Sequence, residues 1–240
     1  MRGVILAGGL GSRMLPCTKV TNKHLLPVYD KPMIMYPLET LKTMGIKETL
    51  IVTGGNSAGD FLKLLGNGSD FGMQIYYAYQ VGEGGIADAL KLAEGFVQDK
   101  FIVMLGDNIV LSDMGFFADS FKDQNCGARV LLKEVHDPQR FGVADIAGKQ
   151  IRSIVEKPKR PVSPYAVTGI YAYDREVFDF IKDIKPSARG ELEITDVNMH
   201  YVLQKKMFFN ILRDFWSDAG TFESLAAASL YVRDHRCNSR

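Results

Sequence analysis

Glycines at positions 8, 9 and 11, followed by Ser12, Arg13 and then Lys23, carry the clearest chemical meaning in this chain. Without a Cβ the backbone turns sharply and brings its N–H groups close to an anion, and a guanidinium and an ammonium alongside add fixed positive charge. A polyphosphate is the guest this suits. The spacing excludes two other phosphate loops: a dinucleotide fingerprint would need its third glycine at Met14, and a Walker loop would end in Gly-Lys-Ser/Thr where this chain has Ser12-Arg13. A strand and a glycine turn also open many α/β proteins, so Gly8, Gly9 and Gly11 alone leave both readings open.

Two carboxylates extend the pattern. The apolar run from Phe101 to Leu105 ends in Gly106-Asp107-Asn108, and a second apolar run leads to Trp216-Ser217-Asp218. Strand ends are where ligands gather in open α/β sheets, so both carboxylates are placed to meet the glycine loop. Together they would hold Mg²⁺ through one or two protein oxygens, with substrate phosphates supplying the rest. Each has a plainer alternative, Asp107 as a turn former and Asp218 as the N-cap of the helix starting near Thr221.

The elements that must position these groups follow from apolar runs and breakers. Strands are expected near Val4–Ala7, Thr49–Thr53, Gln74–Tyr79, Phe101–Leu105 and Ala128–Glu134. Helical patterns separate the first four, at Pro32–Met44, Ser57–Leu65 and Ile86–Phe96, each closing at or near a glycine. That alternation predicts a parallel, doubly wound core with right-handed crossovers. From Val143 the pattern changes to shorter strands at Val143–Ile146, Ile151–Glu156 and Tyr165–Tyr173, with a turn at Gly148, which predicts antiparallel additions. Helices at Glu176–Ile181 and Ile194–Leu203, a strand at Met207–Leu212 and a last helix from Phe222 to about Asp234 complete the chain. The expectation is an α/β fold in one domain spanning 1–240.

Charge and composition narrow the partners. Lys plus Arg number 29 against 28 acidic residues, and a net charge of +1 offers no field for a nucleic-acid backbone. Three cysteines, at 17, 126 and 237, lack metal-ligand spacing, and no apolar run approaches the length needed to cross a bilayer. The expectation is a cytoplasmic protein without a membrane partner.

Beyond these readings, the chain resembles the sugar nucleotidyltransferases, most closely their bacterial glucose-1-phosphate thymidylyltransferase branch, over almost its whole length. The resemblance rests on Leu6-Ala7-Gly8-Gly9-Leu10-Gly11-Ser12-Arg13, on Lys23 with Leu25-Leu26-Pro27-Val28, on Asp30-Lys31-Pro32-Met33-Ile34 and on Gly106-Asp107-Asn108. In the second half it rests on Arg140-Phe141-Gly142-Val143, Glu156-Lys157-Pro158, Tyr165 to Tyr171, and Pro186 to Asp196. Any one segment could mislead; all of them in the family's order are specific.

The resemblance implies a Rossmann-like nucleotide-diphospho-sugar transferase fold, its nucleotide-binding part running to about residue 110 and its sugar-phosphate-binding part over the rest of 1–240. It also implies a reaction in which a sugar 1-phosphate attacks the α-phosphorus of a nucleoside triphosphate, dTTP with glucose 1-phosphate in the first instance, and pyrophosphate leaves. Uridylyl or cytidylyl transfer and a noncatalytic nucleotide-sugar sensor remain alternatives. Such a reaction joins two anions, so orientation and charge neutralisation suffice and no general base is needed.

The resemblance further assigns Leu6, Ala7, Gly8, Gly9, Gly11, Ser12, Arg13, His24, Gln80 and Gly85 to the nucleotide, with Arg13 and Lys23 on the phosphates. Gln80 would read the pyrimidine edge, since an amide offers both a donor and an acceptor. Lys157 and Arg189 would grip the sugar phosphate, while Asn108, Gly142, Glu156 and Val167 would line the sugar. Two positions depart from the family pattern. His24 stands where glutamine is familiar, and Asp88, in Gly84-Gly85-Ile86-Ala87-Asp88, also replaces a glutamine, where its carboxylate would discourage a phosphate or accept a hydroxyl. The C-terminal helical extension of long family members is absent from these 240 residues, so feedback through it is not expected, while a homo-oligomer built on another surface is compatible with the sequence.

Overall fold

Strand β1 (Arg2–Ala7) sets the architecture, because its side chains alternate between two apolar layers. Val4 and Leu6 join one buried cluster and Ile5 and Ala7 the other, none of them more than 6% exposed. A strand apolar on both faces must be covered on both faces, which is the position of a central parallel strand. The structure, a computed structural model, describes residues 1–238.

After β1 come the short hairpin strands β2 (Pro27–Val28) and β3 (Lys31–Pro32), α1 (Met35–Thr43), β4 (Glu48–Gly54), α2 (Ala58–Leu65), β5 (Gln74–Gln80) and α3 (Ile86–Lys91). Next are β6 (Phe101–Leu105), β7 (Asn108–Val110), α4 (Gly115–Lys122), β8 (Ala128–Glu134), β9 (Gly142–Ala147), β10 (Gln150–Glu156) and β11 (Tyr165–Tyr173). The chain finishes with α5 (Glu176–Asp183), α6 (Ile194–Leu203), β12 (Met207–Leu212), β13 (Trp216–Asp218) and α7 (Phe222–Asn238). Nine strands form one sheet in the order β10-β9-β11-β6-β1-β4-β5, and β8 branches from β11 to carry β12.

β6, β1, β4 and β5 run parallel, in register such that Leu6 lies beside Leu105, Ala7 beside Thr53 and Gly54 beside Gln80. Their carboxyl ends therefore share one edge, and the glycine loop, Gln80 and Asp107 all leave the sheet there. β11 runs antiparallel to β6, so its beginning, with Val167, reaches the same edge. Glu156 pairs with Gly142 across β10 and β9, and Ala166 with Val143 ties them to β11. The parallel core with antiparallel strands added in the second half is the α/β fold the sequence predicts.

Several elements differ from that expectation. α1 starts at Met35 rather than Pro32, because Lys31 and Pro32 are drawn into the β2–β3 hairpin. α3 ends at Lys91 rather than Phe96: beyond it the amides of Ala93, Glu94 and Phe96 bond three residues back, tightening the chain into turns around Gly95. α4 is additional; Asp113 accepts the Gly115 amide at 2.7 Å, and Phe117, Ala118 and Phe121 are fully buried on its inner face. β7 and β13 are also additional. They pair antiparallel with Asp218 opposite Asn108, bringing the two candidate metal carboxylates to adjoining positions. α7 is seated by a small cluster of Val28, Met33, Tyr36, Ile109, Ala219, Ala228 and Val232.

Candidate active site

The glycine loop closes on its own anchors. Met14 is fully buried below it, and Thr18 donates its hydroxyl to the Gly11 carbonyl at 2.8 Å. Gly11 has φ +69°, and a Cβ there would lie 2.9 Å from Thr18 Cγ2 and 3.0 Å from Lys23 Cβ, so only glycine lets the loop fold over the lysine stem. The loop opens into a cleft of about 490 Å³ lined by Leu6, Gly8, Gly9, Ser12, Arg13, Lys23, His24, Gln80, Gly85, Lys157 and Arg189 among others.

A second compartment of about 160 Å³ adjoins it, lined by Asn108, Arg140, Gly142, Glu156, Val167, Thr195, Trp216 and Asp218 among others. Arg13, Ile86, Leu105, Asp107 and Lys157 line both compartments. Two guests lying side by side would thus meet at one guanidinium, one carboxylate and one ammonium.

Most residues singled out in the sequence fall on these walls, with instructive exceptions. Ala7 is fully buried in the sheet, and Gly11 shapes the loop without lining the cleft. Arg189 lines the larger compartment rather than the smaller, and its guanidinium is held by Glu193 at 2.8 Å and Glu191 at 3.5 Å. Asn108 is a cross-brace: its Oδ1 accepts from the Trp216 indole at 2.6 Å and the Gly169 amide at 3.0 Å, and its Nδ2 donates to Asp107 Oδ1 at 3.2 Å. Thr221, not Asp218, caps α7, its Oγ1 taking the Ser224 amide at 3.2 Å. Asp88 lines neither compartment; its Oδ2 accepts the Gln80 amide at 2.8 Å.

Charge is tightly arranged at the shared wall. Lys23 Nζ stands 2.6 Å from Asp107 Oδ2, with only 14% and 11% of the two side chains exposed. Burial opposes charge on Asp107, but the Lys23 ammonium, its hydrogen bond and that of Asn108 overcome it and hold the carboxyl well below the usual range. Asp218 goes the other way: burial and the neighbouring negative charge of Asp107 push it up to about 6, with Arg140, Arg13 and Lys23 partly offsetting. Burial, reinforced by Lys23, pulls His24 down to about 3, leaving a neutral ring. Its backbone N–H and Nδ1 both meet Asn22 Oδ1, at 2.9 and 2.7 Å, so Nδ1 carries the proton. Lys157 sits at φ +42°, an unfavourable conformation for a side-chain-bearing residue, held by its amide bonding the Phe141 carbonyl at 3.0 Å.

Among the described residues no group of three or more His, Cys, Asp or Glu side chains could enclose a metal. Mg²⁺ asks for less, since one or two carboxylates plus substrate phosphates and water complete its shell. Asp107 and Asp218 fit that requirement: they are adjoining, and burial together with the Asp107 charge works against the Asp218 carboxylate, a cost that a cation beside both would relieve. Three contributors carried no role in the sequence reading. Arg140 lies 3.4 Å from Asp218, Thr195 donates to Glu156 at 2.7 Å, and Trp216 braces Asn108. Arg140 and Thr195 lie inside the matching segments, which was the signal available.

The carboxyl edge of the parallel sheet thus carries the glycine loop, Arg13, Lys23 and Asp107, with Asp218 on the adjoining compartment, an arrangement suited to an enzyme that joins two anionic substrates. The chain belongs to the nucleotidyl transferase family, whose sequence profile matches residues 2–235. It is 45% identical to the glucose-1-phosphate thymidylyltransferase of Neisseria meningitidis, over 97% of this chain and 83% of that protein. It superposes with TM-score 0.93 and 51% identity on a Bacillus anthracis protein, provisionally named a glucose-1-phosphate thymidylyltransferase and crystallised with a sucrose, covering 98% of this chain and 96% of that one. A UDP-glucose pyrophosphorylase shares the fold at TM-score 0.85 and 24% identity, covering 98% of each chain.

Proposed function

We propose that this chain transfers a thymidylyl group from dTTP to glucose 1-phosphate, giving dTDP-glucose and pyrophosphate. The observation that carries the reading is the pair of compartments sharing Arg13, Asp107 and Lys157. The names of the similar proteins supply the substrates.

In this reading the larger compartment takes the nucleotide, its phosphates lying along the glycine loop and Arg13, its base at Gln80. The sugar phosphate enters the smaller compartment, with its hydroxyls toward Glu156, Gly142 and the Val167 backbone. Lys157 bridges the two anions and offsets their repulsion, and Arg13 stabilises the departing pyrophosphate; Lys23 leaves Asp107 for the phosphates. The phosphate nucleophile is already ionised at neutral pH, so positioning and neutralisation carry the rate. Asp107 and Asp218 would hold Mg²⁺, which supplies further neutralisation at the α-phosphate.

Pure protein incubated with Mg²⁺ and each of dTTP, UTP, CTP, GTP and ATP against a panel of sugar 1-phosphates tests this. Pyrophosphate release is expected with dTTP and glucose 1-phosphate above the other pairs. No release from any pair would overturn the reading.

A further inference from the structure

Gln80 ends β5 at the cleft edge, is 6% exposed, and spends both amide hydrogens inside the protein: Nε2 donates to Asp88 Oδ2 at 2.8 Å and to the Gly85 carbonyl at 3.3 Å. An amide can usually be turned over with little change of shape, but an ionised carboxylate has no hydrogen to give, so Asp88 accepts only the nitrogen. The oxygen is then fixed on the opposite side, above Gly8, where a Cβ would lie 2.6 Å from Oε1. Asp88 itself lines neither compartment. Its carboxylate lies against Gly84, where a Cβ would meet Oδ2 at 2.4 Å, so a glycine there leaves it room to reach Gln80. As the third residue of α3 it also favours the helix N-terminus, but that role would not require its carboxylate to point at Gln80.

We infer that Asp88 is a positioning residue that locks the Gln80 amide with its oxygen toward the nucleotide, and so selects a base presenting an N–H at that point, thymine or uracil rather than cytosine. The inference rests on the proposed placement of the base at Gln80. Thymine and uracil carry N3–H, which Oε1 accepts. Cytosine presents an unprotonated N3, and the locked amide cannot turn its nitrogen to meet it. The carboxylate at position 88, the shorter of the two contacts and seconded by the Gly85 carbonyl, thereby holds an ambivalent reader as a pure acceptor.

The test is calorimetric binding of dTTP, dUTP and dCTP, without sugar phosphate, to wild type, Asp88→Ala and Asp88→Asn. In Asp88→Ala the preference for dTTP over dCTP is expected to fall roughly ten- to a hundredfold, the worth of one mismatched buried hydrogen bond. In Asp88→Asn the fall is smaller, because an asparagine oxygen still accepts from Gln80 while its nitrogen permits the reversed amide; this near-isosteric variant also decides the matter if the alanine variant does not fold. The dTTP to dUTP ratio stays constant, since both bases carry N3–H, whereas a general structural lesion would weaken all three nucleotides equally. An unchanged dTTP to dCTP ratio in both variants, an equal loss for all three nucleotides, or a wild type that does not prefer dTTP to dCTP would overturn the inference. Binding is read without turnover, so a wild type that discriminates bases but releases no pyrophosphate would sink the proposed reaction and leave this inference standing.

Discussion

Lys23, in the larger compartment, and Asp107, on the wall that both compartments share, lie 84 positions apart in the chain and form a buried ion pair at 2.6 Å. The ammonium occupies one of the oxygens a divalent cation would need. Removing one member of such a pair leaves the other charged and unpaired, at a cost of about 3–5 kcal/mol. Lys23→Met is therefore expected to destabilise the ligand-free protein on that scale. Mg²⁺ should then raise its melting temperature more than that of wild type, because the cation no longer displaces an ammonium. Thermal melts with and without Mg²⁺ check this, and equal shifts would speak against the carboxylates as the metal site.

Asp107→Asn and Asp218→Asn should each lose at least about a hundredfold in kcat while keeping the wild-type circular dichroism, since a neutral amide is a poor Mg²⁺ ligand and the lost neutralisation falls on the reacting phosphates. Near-normal rates in both variants would show the metal assignment to be wrong.

The two loop glycines should fail differently. Gly8→Ala puts a methyl 2.6 Å from Gln80 Oε1, so KM for dTTP should rise roughly tenfold with KM for glucose 1-phosphate little changed. Gly11→Ala, at φ +69° and against Thr18 and Lys23, should cost about 1–2 kcal/mol of stability and displace the phosphate lysine as well. Urea unfolding with steady-state kinetics on both variants separates the two effects; a Gly11→Ala protein of wild-type stability would contradict the steric argument.

His24 gives a stability change with a defined sign. Its pKa falls from 6.5 in the unfolded chain to about 3 in the fold, so between those values the unfolded chain binds a proton that the native protein does not. Unfolding free energy should drop by about 1.4 kcal/mol per pH unit as pH falls below that upper value, with no contribution from His24 above it. His24→Gln, which cannot take up the proton, should lack this component. Urea melts from neutral to mildly acidic pH compare the two slopes, and identical slopes would show that His24 is not buried neutral.

Three of the four parallel strands, β1, β4 and β6, were readable because a strand buried on both faces appears as a short continuous apolar run, each here ending at a glycine, whereas β5 lies at the sheet edge and is only partly buried. The glycine loop and Asp107 followed from it, since strand ends mark the ligand edge. β7 and β13 were not readable: each is three residues long and exists only through pairing between Asn108–Val110 and Trp216–Asp218, a tertiary event without local periodicity. The same limit hid what Asn108, Arg140 and Asp88 do. Asn108 looks like a substrate ligand in sequence, yet its amide is consumed in bracing Asp107, Gly169 and Trp216. Asp88 looks like a misplaced charge in a phosphate site and is instead turned onto Gln80.

Isotope transfer from dTTP addresses the two-compartment reaction most directly. With label on the α-phosphorus, Mg²⁺ and glucose 1-phosphate, the label should appear in dTDP-glucose, and label on the γ-phosphorus should appear in pyrophosphate. Asp107→Asn should reduce both transfers together. Label remaining in dTTP, or appearing in dTMP without the sugar, would contradict attack by the sugar phosphate on the α-phosphorus.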